Sequence, residues 1–494
     1  MTRPQPTNFR SRSLTRVASL VAVGVGLAIA GAASGQILVS FGAVVLLSLA
    51  WLVPPAFLRL TVVLAGTLFL FQNSAVNSQL KLAFVALCLI LGAWSFWSLR
   101  DRWSSTDPFN REVIKPVMVA AIILAIVPVL SLLQLGFGSA SLDSWLRDAV
   151  GYLSLPALLL VGVEAGLRLS WRTVTVLVSA TSLMAAALAL STWLSRRGGD
   201  VLGFSQLGLA SSMPVFAGIA LALTLYFNSR ATGLGWLMLG LLQIAILVST
   251  GGRQPAIFAV VGLLLAAVFS RRGLIQRVGR LLVAGAAAVL MYGIVLAFSE
   301  TFGGGIAARR LDFFDRVLDS GWSAVQQDGS VIDRSNAYEW TLQIWLSNFW
   351  FGRGLGINFP SVRSGYTDDG GFTLDTPLVV LAKFGLVGAV AVIWAVCLVF
   401  AAALRARKHS AIPELRVPTY TVVAVGLVVC TVLNGFPTEN RGFGIFLTCL
   451  VVVVLAASRK SDPTLPDSKS HGLPARTGSA VWISGAQVQG RPLR

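Results

Sequence analysis

The chain is a succession of long apolar runs broken by short charged or turn-forming connections. Runs bounded in this way fall near 17–34, 37–53, 56–71, 80–98, 116–135, 149–167, 173–193, 213–229, 233–249, 254–270, 281–298, 375–400, 417–435 and 441–457. About 20 apolar residues cross a bilayer as a helix, so this pattern predicts an all-α polytopic membrane bundle of about 14 transmembrane helices. Composition agrees: 55% of the 494 residues are hydrophobic and 12% are charged, about half the charge of an ordinary soluble chain. That excludes a soluble globular domain, a disordered chain and a disulfide scaffold. Pro54 and Pro55 leave the second and third runs open to two readings, a tight turn or a re-entrant pair.

The net charge of +18 is a matter of topology. With the N-terminus inside, most Lys and Arg fall in cytoplasmic segments, among them Arg59, Arg100, Arg102, Arg111, Lys115, Arg168, Arg172, Arg272, Arg277, Arg405 and Lys408. The positive-inside rule expects that asymmetry, and it leaves no case for nucleic acid. Both termini are then cytoplasmic. Residues 1–16 and 458–494, polar and rich in Pro, Ser, Gly and Arg, read as disordered arms. The first run reads as an uncleaved anchor, with a signal peptide as the alternative. Cys88, Cys397, Cys430 and Cys449 all lie inside expected spans and read as packing residues.

The expected domains are therefore 1–16 (arm), 17–298 (eleven membrane helices), 299–374 (a large extracytoplasmic loop), 375–457 (three membrane helices) and 458–494 (tail). The long loop stands out, because long connections with structure of their own concentrate function. It opens on Phe302-Gly303-Gly304-Gly305. Arg309 to Leu318 then reads as an amphipathic surface helix. A second helix is expected from Asp333 or Ser335, either of which caps it, with Trp340, Ile344 and Trp345 as its apolar face. Gly352-Arg353-Gly354-Leu355-Gly356 ends it in a turn whose N–H groups are able to meet an anion.

Polarity also gathers at membrane edges on the same side: Arg147-Asp148, Arg196-Arg197, Glu439-Asn440-Arg441, and the short connection Ser249-Thr250-Gly251-Gly252-Arg253-Gln254-Pro255. Outer arginines run against the positive-inside bias, and their planar fork suits a diphosphate; snorkelling or pairing with an acid is the plainer reading. His409 and His471 both fall on the cytoplasmic side, and no cluster has metal-ligand spacing. Asp368-Asp369 reads as a solvated turn rather than a cation site. Glu164, the one acid within a span, sits near the cytoplasmic end where it is able to snorkel.

In order and spacing, these motifs resemble the O-antigen ligase and O-antigen polymerase proteins of bacterial surface-glycan assembly. The resemblance rests on Thr250-Gly251-Gly252-Arg253, on Arg334 to Trp340, on Trp350-Phe351-Gly352-Arg353-Gly354-Leu355-Gly356 and on Phe384-Gly385-Leu386-Val387-Gly388. It covers about residues 240 to 400. It implies a metal-independent, inverting glycosyltransferase on a GT-C-like fold in the cytoplasmic (inner) membrane, with no cofactor. The donor would be a glycan on an undecaprenyl-diphosphate-type carrier, the acceptor a hydroxyl on a glycan or lipid. Arg253 and Arg334 match the family's diphosphate-contacting arginines, and Arg353 is a third candidate. The ligase branch carries a His-Asn pair where the loop re-enters the membrane; here the residues are Leu374-Asp375-Thr376-Pro377. Asp375 is then either the substitute base or the cap of the following helix. The competing readings are a transporter of a small anion or lipid-linked glycan, and a scaffold subunit.

Overall fold

The computed structural model describes residues 55–72, 78–137, 141–195, 201–228, 233–249, 254–270, 272–303, 316, 319–326, 329–358, 378–409 and 443–458. They lie in one compact unit, Met1–Arg459. Among them are helices and no strand: α1 (Pro55–Gln72), α2 (Ser78–Trp103), α3 (Lys115–Leu130), α4 (Leu142–Arg168), α5 (Trp171–Ser195), α6 (Val201–Asn228), α7 (Leu234–Ser249), α8 (Gln254–Val268), α9 (Leu274–Gly303), α10 (Trp322–Gln326), α11 (Gly329–Ser347), α12 (Leu378–Ala406) and α13 (Phe443–Ser458). Every expected span from 56–71 to 375–400, and also 441–457, overlaps one of these helices, 116–135 running on past α3 into a short 3-10 turn. The spans near 17–34, 37–53 and 417–435 lie outside the described residues. Six described helices are long and apolar enough to cross a membrane, and the shorter apolar ones include α7 and α13. Pro55 opens α1, a position where its missing N–H costs nothing.

The centre of the bundle is α4 against α13. Every residue of α13 is buried, and the apolar stretch of α4 is 83% buried. Association in lipid depends on close backbone approach, which small residues permit. Gly162 and Gly166 supply it: a Cβ on Gly166 would come 2.7 Å from Leu455, and one on Gly162 3.0 Å from Thr448. Gly92 of α2 meets Ala157 of α4 in the same way. At the periphery, α9 is only 6% buried over its apolar window and presents Leu274, Ile275, Leu282, Val289 and Leu290 outward. Such a face calls for an apolar covering, lipid or another helix.

One end of the bundle collects basic residues. Arg59 at the start of α1, Arg100 and Arg102 at the end of α2, Arg168 at the end of α4 and Arg405 at the end of α12 all lie there. Glu164 corrects the expectation of a snorkelling carboxylate. It is 1% exposed, lies 3.0 Å from Arg59 and 3.1 Å from Arg168, and accepts a 2.8 Å hydrogen bond from Ser95. It is a buried ion-pair centre joining α1, α2 and α4, as an intramembrane charge requires. Cys88 and Cys449 pack inside, whereas Cys397 is on the exposed side of α12.

Candidate functional site

At the opposite end, two elements from the long loop region are built onto the bundle: α11 and the turn that follows it. Helix α11 starts at Gly329, so Asp333 and Ser335 are inside the helix and neither caps it. Its buried face is Ala337, Thr341 and Ile344, spaced by four and three, while Trp340 is 44% exposed. Of the expected apolar face, Ile344 is buried but Trp340 is not: Ala337 and Thr341 go inward beside Ile344 because α11 lies close against α12, and the Trp340 ring is left outside. Ile344, Ile357, Val379 and Ala382 form the small core of this contact.

Helix α12 is broken at Gly385, whose φ of 65° and ψ of −171° are not helical. In an unbroken helix the N–H groups of Leu386 and Val387 would donate to the carbonyls of Ala382 and Lys383. Here those two carbonyls accept instead from the N–H groups of Arg353 and Gly354, each at 2.8 Å. The freed N–H groups of Leu386 and Val387 donate to the carbonyls of Phe349 and Trp350, at 2.9 and 3.1 Å. Two intrahelical bonds are thus exchanged for four bonds to another segment, and each of these four backbone groups of α12 keeps a partner.

The exchange requires glycine. Gly352, Gly354, Gly356 and Gly385 all have positive φ. A Cβ on Gly385 would lie 2.3 Å from the Trp350 carbonyl oxygen, and one on Gly356 2.5 Å from the Trp145 nitrogen. The Gln134 side-chain amide donates to the carbonyls of Phe351 and Gly352, fastening the same turn to the segment after α3.

The expectation that the glycine turn offers free N–H groups to an anion is therefore corrected. Gly352 N–H donates to Asn348, and those of Arg353 and Gly354 are used on α12. Gly356 N–H donates to Asp148 Oδ2 at 3.0 Å. The anion that the turn binds is the protein's own carboxylate. Asp148 is held in turn by Lys383, whose Nζ lies 2.8 Å from Oδ1 and which is 1% exposed. Below the pair, Tyr152 meets Phe384 edge to face at 5.0 Å. The Trp145 indole donates to Ser131 Oγ at 2.8 Å. The first turns of α4 are set for this by Ser141, whose side chain caps the helix.

Of the residues expected to act, Arg353 is fully placed, with an exposed side chain on the turn. Arg334 is placed by its backbone on α11; its side chain lies outside the described residues. The helical rise puts Arg334 about 15 Å along α11 from Ile344, the level at which Ala382 is touched. The two arginines therefore occupy two levels of one unit. Arg253 and Asp375 lie outside the described residues. So do Arg309 to Asp315 of the expected surface helix. Sequence reasoning missed Lys383, although a lysine well inside an apolar run was signal enough. His409 contacts Glu112 at 3.5 Å and lies at the far end of α12, about 40 Å from Lys383 by helical rise. Among the described residues no group of three His, Cys, Asp or Glu side chains is placed to hold a metal ion.

Residues 237–393, from α7 into α12, match the family model described as O-antigen ligase. The chain carries an O-antigen ligase family domain. The matched stretch includes α11, the glycine turn and the break in α12, so the backbone exchange lies within the domain. With its apolar helices, this O-antigen ligase domain marks a membrane protein of glycan assembly. No curated protein matches the chain.

Proposed function

We propose that this protein is a metal-independent, inverting glycosyltransferase of the O-antigen ligase and polymerase type. It moves a glycan from an undecaprenyl-diphosphate-type carrier to an acceptor hydroxyl of another glycan or lipid. The reaction takes place on the outer face of the cytoplasmic membrane, with both termini inside. The observation that carries this reading is the O-antigen ligase match over 237–393, in which α11 and the Arg353 turn are knitted to a broken membrane helix.

In this reading Arg253 and Arg334 grip the diphosphate through bidentate, permanently charged forks and stabilise the charge that builds on it as it leaves. Arg353, exposed beside the membrane end of α12, is the third contact. Asp375 takes the proton from the acceptor hydroxyl as the new glycosidic bond forms at the anomeric carbon and the bond to the carrier phosphate breaks. The Asp148–Lys383 pair, its lysine buried, fixes the turn that presents Arg353.

The test is deletion in the native host, followed by analysis of which glycan stays on its lipid carrier. Complementation with Arg253→Ala or Arg334→Ala is expected to leave that glycan on its carrier while the protein inserts normally. Normal surface glycan in either variant removes the main support. Solute uptake by the purified protein in liposomes, without lipid-linked sugar, decides for a transporter instead.

A further inference from the structure

Helix α11 has three stripes. Ala337, Thr341 and Ile344 are buried against α12; Ser335, Glu339, Gln343 and Ser347 form an exposed polar line; Tyr338, Leu342 and Leu346 form an exposed apolar line. The apolar line runs on into the turn, where Trp350 is 59% and Phe351 68% exposed. Trp345 stacks on Phe349, and Phe349 meets Trp350 edge to face. Exposed apolar surface of this size needs a covering partner.

Continuity identifies that partner. The Trp350 carbonyl is bonded to the N–H of Val387. Val387, Val390 and Trp394, each more than half exposed, share one outward face of α12. That helix is long and apolar enough to cross a membrane, so this face meets acyl chains. Depth follows from length. Arg405, exposed at the other end of α12, marks one boundary of the hydrocarbon core, and counting about 20 residues back from it reaches Gly385. The aromatic turn is hydrogen-bonded at that level, where aromatic belts of membrane proteins sit.

From this we infer that the surface formed by Tyr338, Leu342, Leu346, Trp350 and Phe351 is seated in the bilayer interface. This part of the expected extracytoplasmic loop is a membrane anchor, with α11 lying in the interface by its apolar line. It holds the adjoining Arg353 at lipid-headgroup depth. The inference rests on exposure and helix length, not on the proposed reaction.

The experiment uses the full chain in phosphatidylethanolamine–phosphatidylglycerol liposomes, with Cys88, Cys397, Cys430 and Cys449 replaced by alanine. Single nitroxide labels are placed at Leu346→Cys, Trp350→Cys and Phe351→Cys, with Glu339→Cys and Gln343→Cys as polar-face references. The ratio of collision with oxygen to collision with a water-soluble nickel chelate is expected to be several-fold higher at 350 and 351 than at 339. An equal or lower ratio overturns the inference. The unsubstituted protein supplies the second reading. A phospholipid bearing a carbene precursor is expected to label the peptide containing Trp350 and Phe351 on irradiation. Absence of label there, with α12 labelled, overturns it also. Neither readout depends on glycan transfer, so failure here and failure of the proposed reaction are separable.

Discussion

Lys383 Nζ lies 2.8 Å from Asp148 Oδ1, joining two helices through residues 235 positions apart in the chain. The same carboxylate accepts the N–H of Gly356, so one charge pair, its lysine buried and its aspartate part-buried, fastens α4, α12 and the glycine turn at a single point. Removing Asp148 leaves the Lys383 ammonium buried without its counter-charge, a loss of up to about 3–5 kcal/mol for a fully buried pair; removing Lys383 leaves the part-buried carboxylate and costs less. Lys383→Met and Asp148→Asn are each expected to lower thermal stability in detergent. The double variant is expected to recover at least half of the summed loss. Additive losses would show that the two residues act independently.

Gly385→Ala forces a side chain into the left-handed region and onto the Trp350 carbonyl. A backbone held in that region costs about 1–3 kcal/mol before any clash. Gly385→Ala and Gly356→Ala are therefore expected to destabilise the protein and to expose the turn to proteolysis. Gly279→Ala, on α9 with open space around it, is the control. It is expected to be neutral or slightly stabilising, because alanine favours the helix by up to about 1 kcal/mol.

Asp375→Asn separates the two roles open to that residue. Asparagine caps a helix as well as aspartate but takes no proton. If Asp375 is the base, transfer falls by about 10²- to 10⁴-fold with unchanged melting. Retained transfer by Asp375→Asn assigns the residue to capping alone. The measurement is glycan release from the lipid carrier, in vitro, alongside a melting curve.

Glu164→Gln tests whether the two ends of the bundle are separable. Glu164 lies about 24 Å along α4 from Asp148 by helical rise. Loss of its charge leaves Arg59 and Arg168 facing each other across α1 and α4, and is expected to cost a few kcal/mol of stability. Transfer per folded molecule is expected to stay within about twofold of the parent, a margin worth only about 0.4 kcal/mol of barrier. A selective loss of transfer at full stability would place Glu164 in the chemistry.

Much of the bundle was legible because length and polarity alone decide where a helix crosses lipid, as α4 and α12 show. What sequence missed were the features set by contact rather than composition. Ala337 and Thr341 join Ile344 on the inward face of α11 because α12 approaches there, and no periodicity of large residues announces those two. The glycines of the turn suggest N–H groups offered outward, but Gly352 donates to Asn348 close by, while Gly354 and Gly356 donate to a carbonyl and a carboxylate from distant segments. Glu164 looked like a surface-seeking acid because Arg59 and Ser95 are distant in sequence. The exposed position of Arg353 on the turn follows from the glycines on either side of it.

The core shared by Ile344, Ile357, Val379 and Ala382 has a further consequence. The chain leaves that cluster at Ile357 and comes back to it at Val379, so the intervening stretch begins and ends on one fixed platform. Doubling the length of such an excursion costs only about 0.6 kcal/mol in closure entropy. Insertion or exchange between those two points therefore leaves the core of Ile344, Ile357, Val379 and Ala382, and the scaffold around it, as it is.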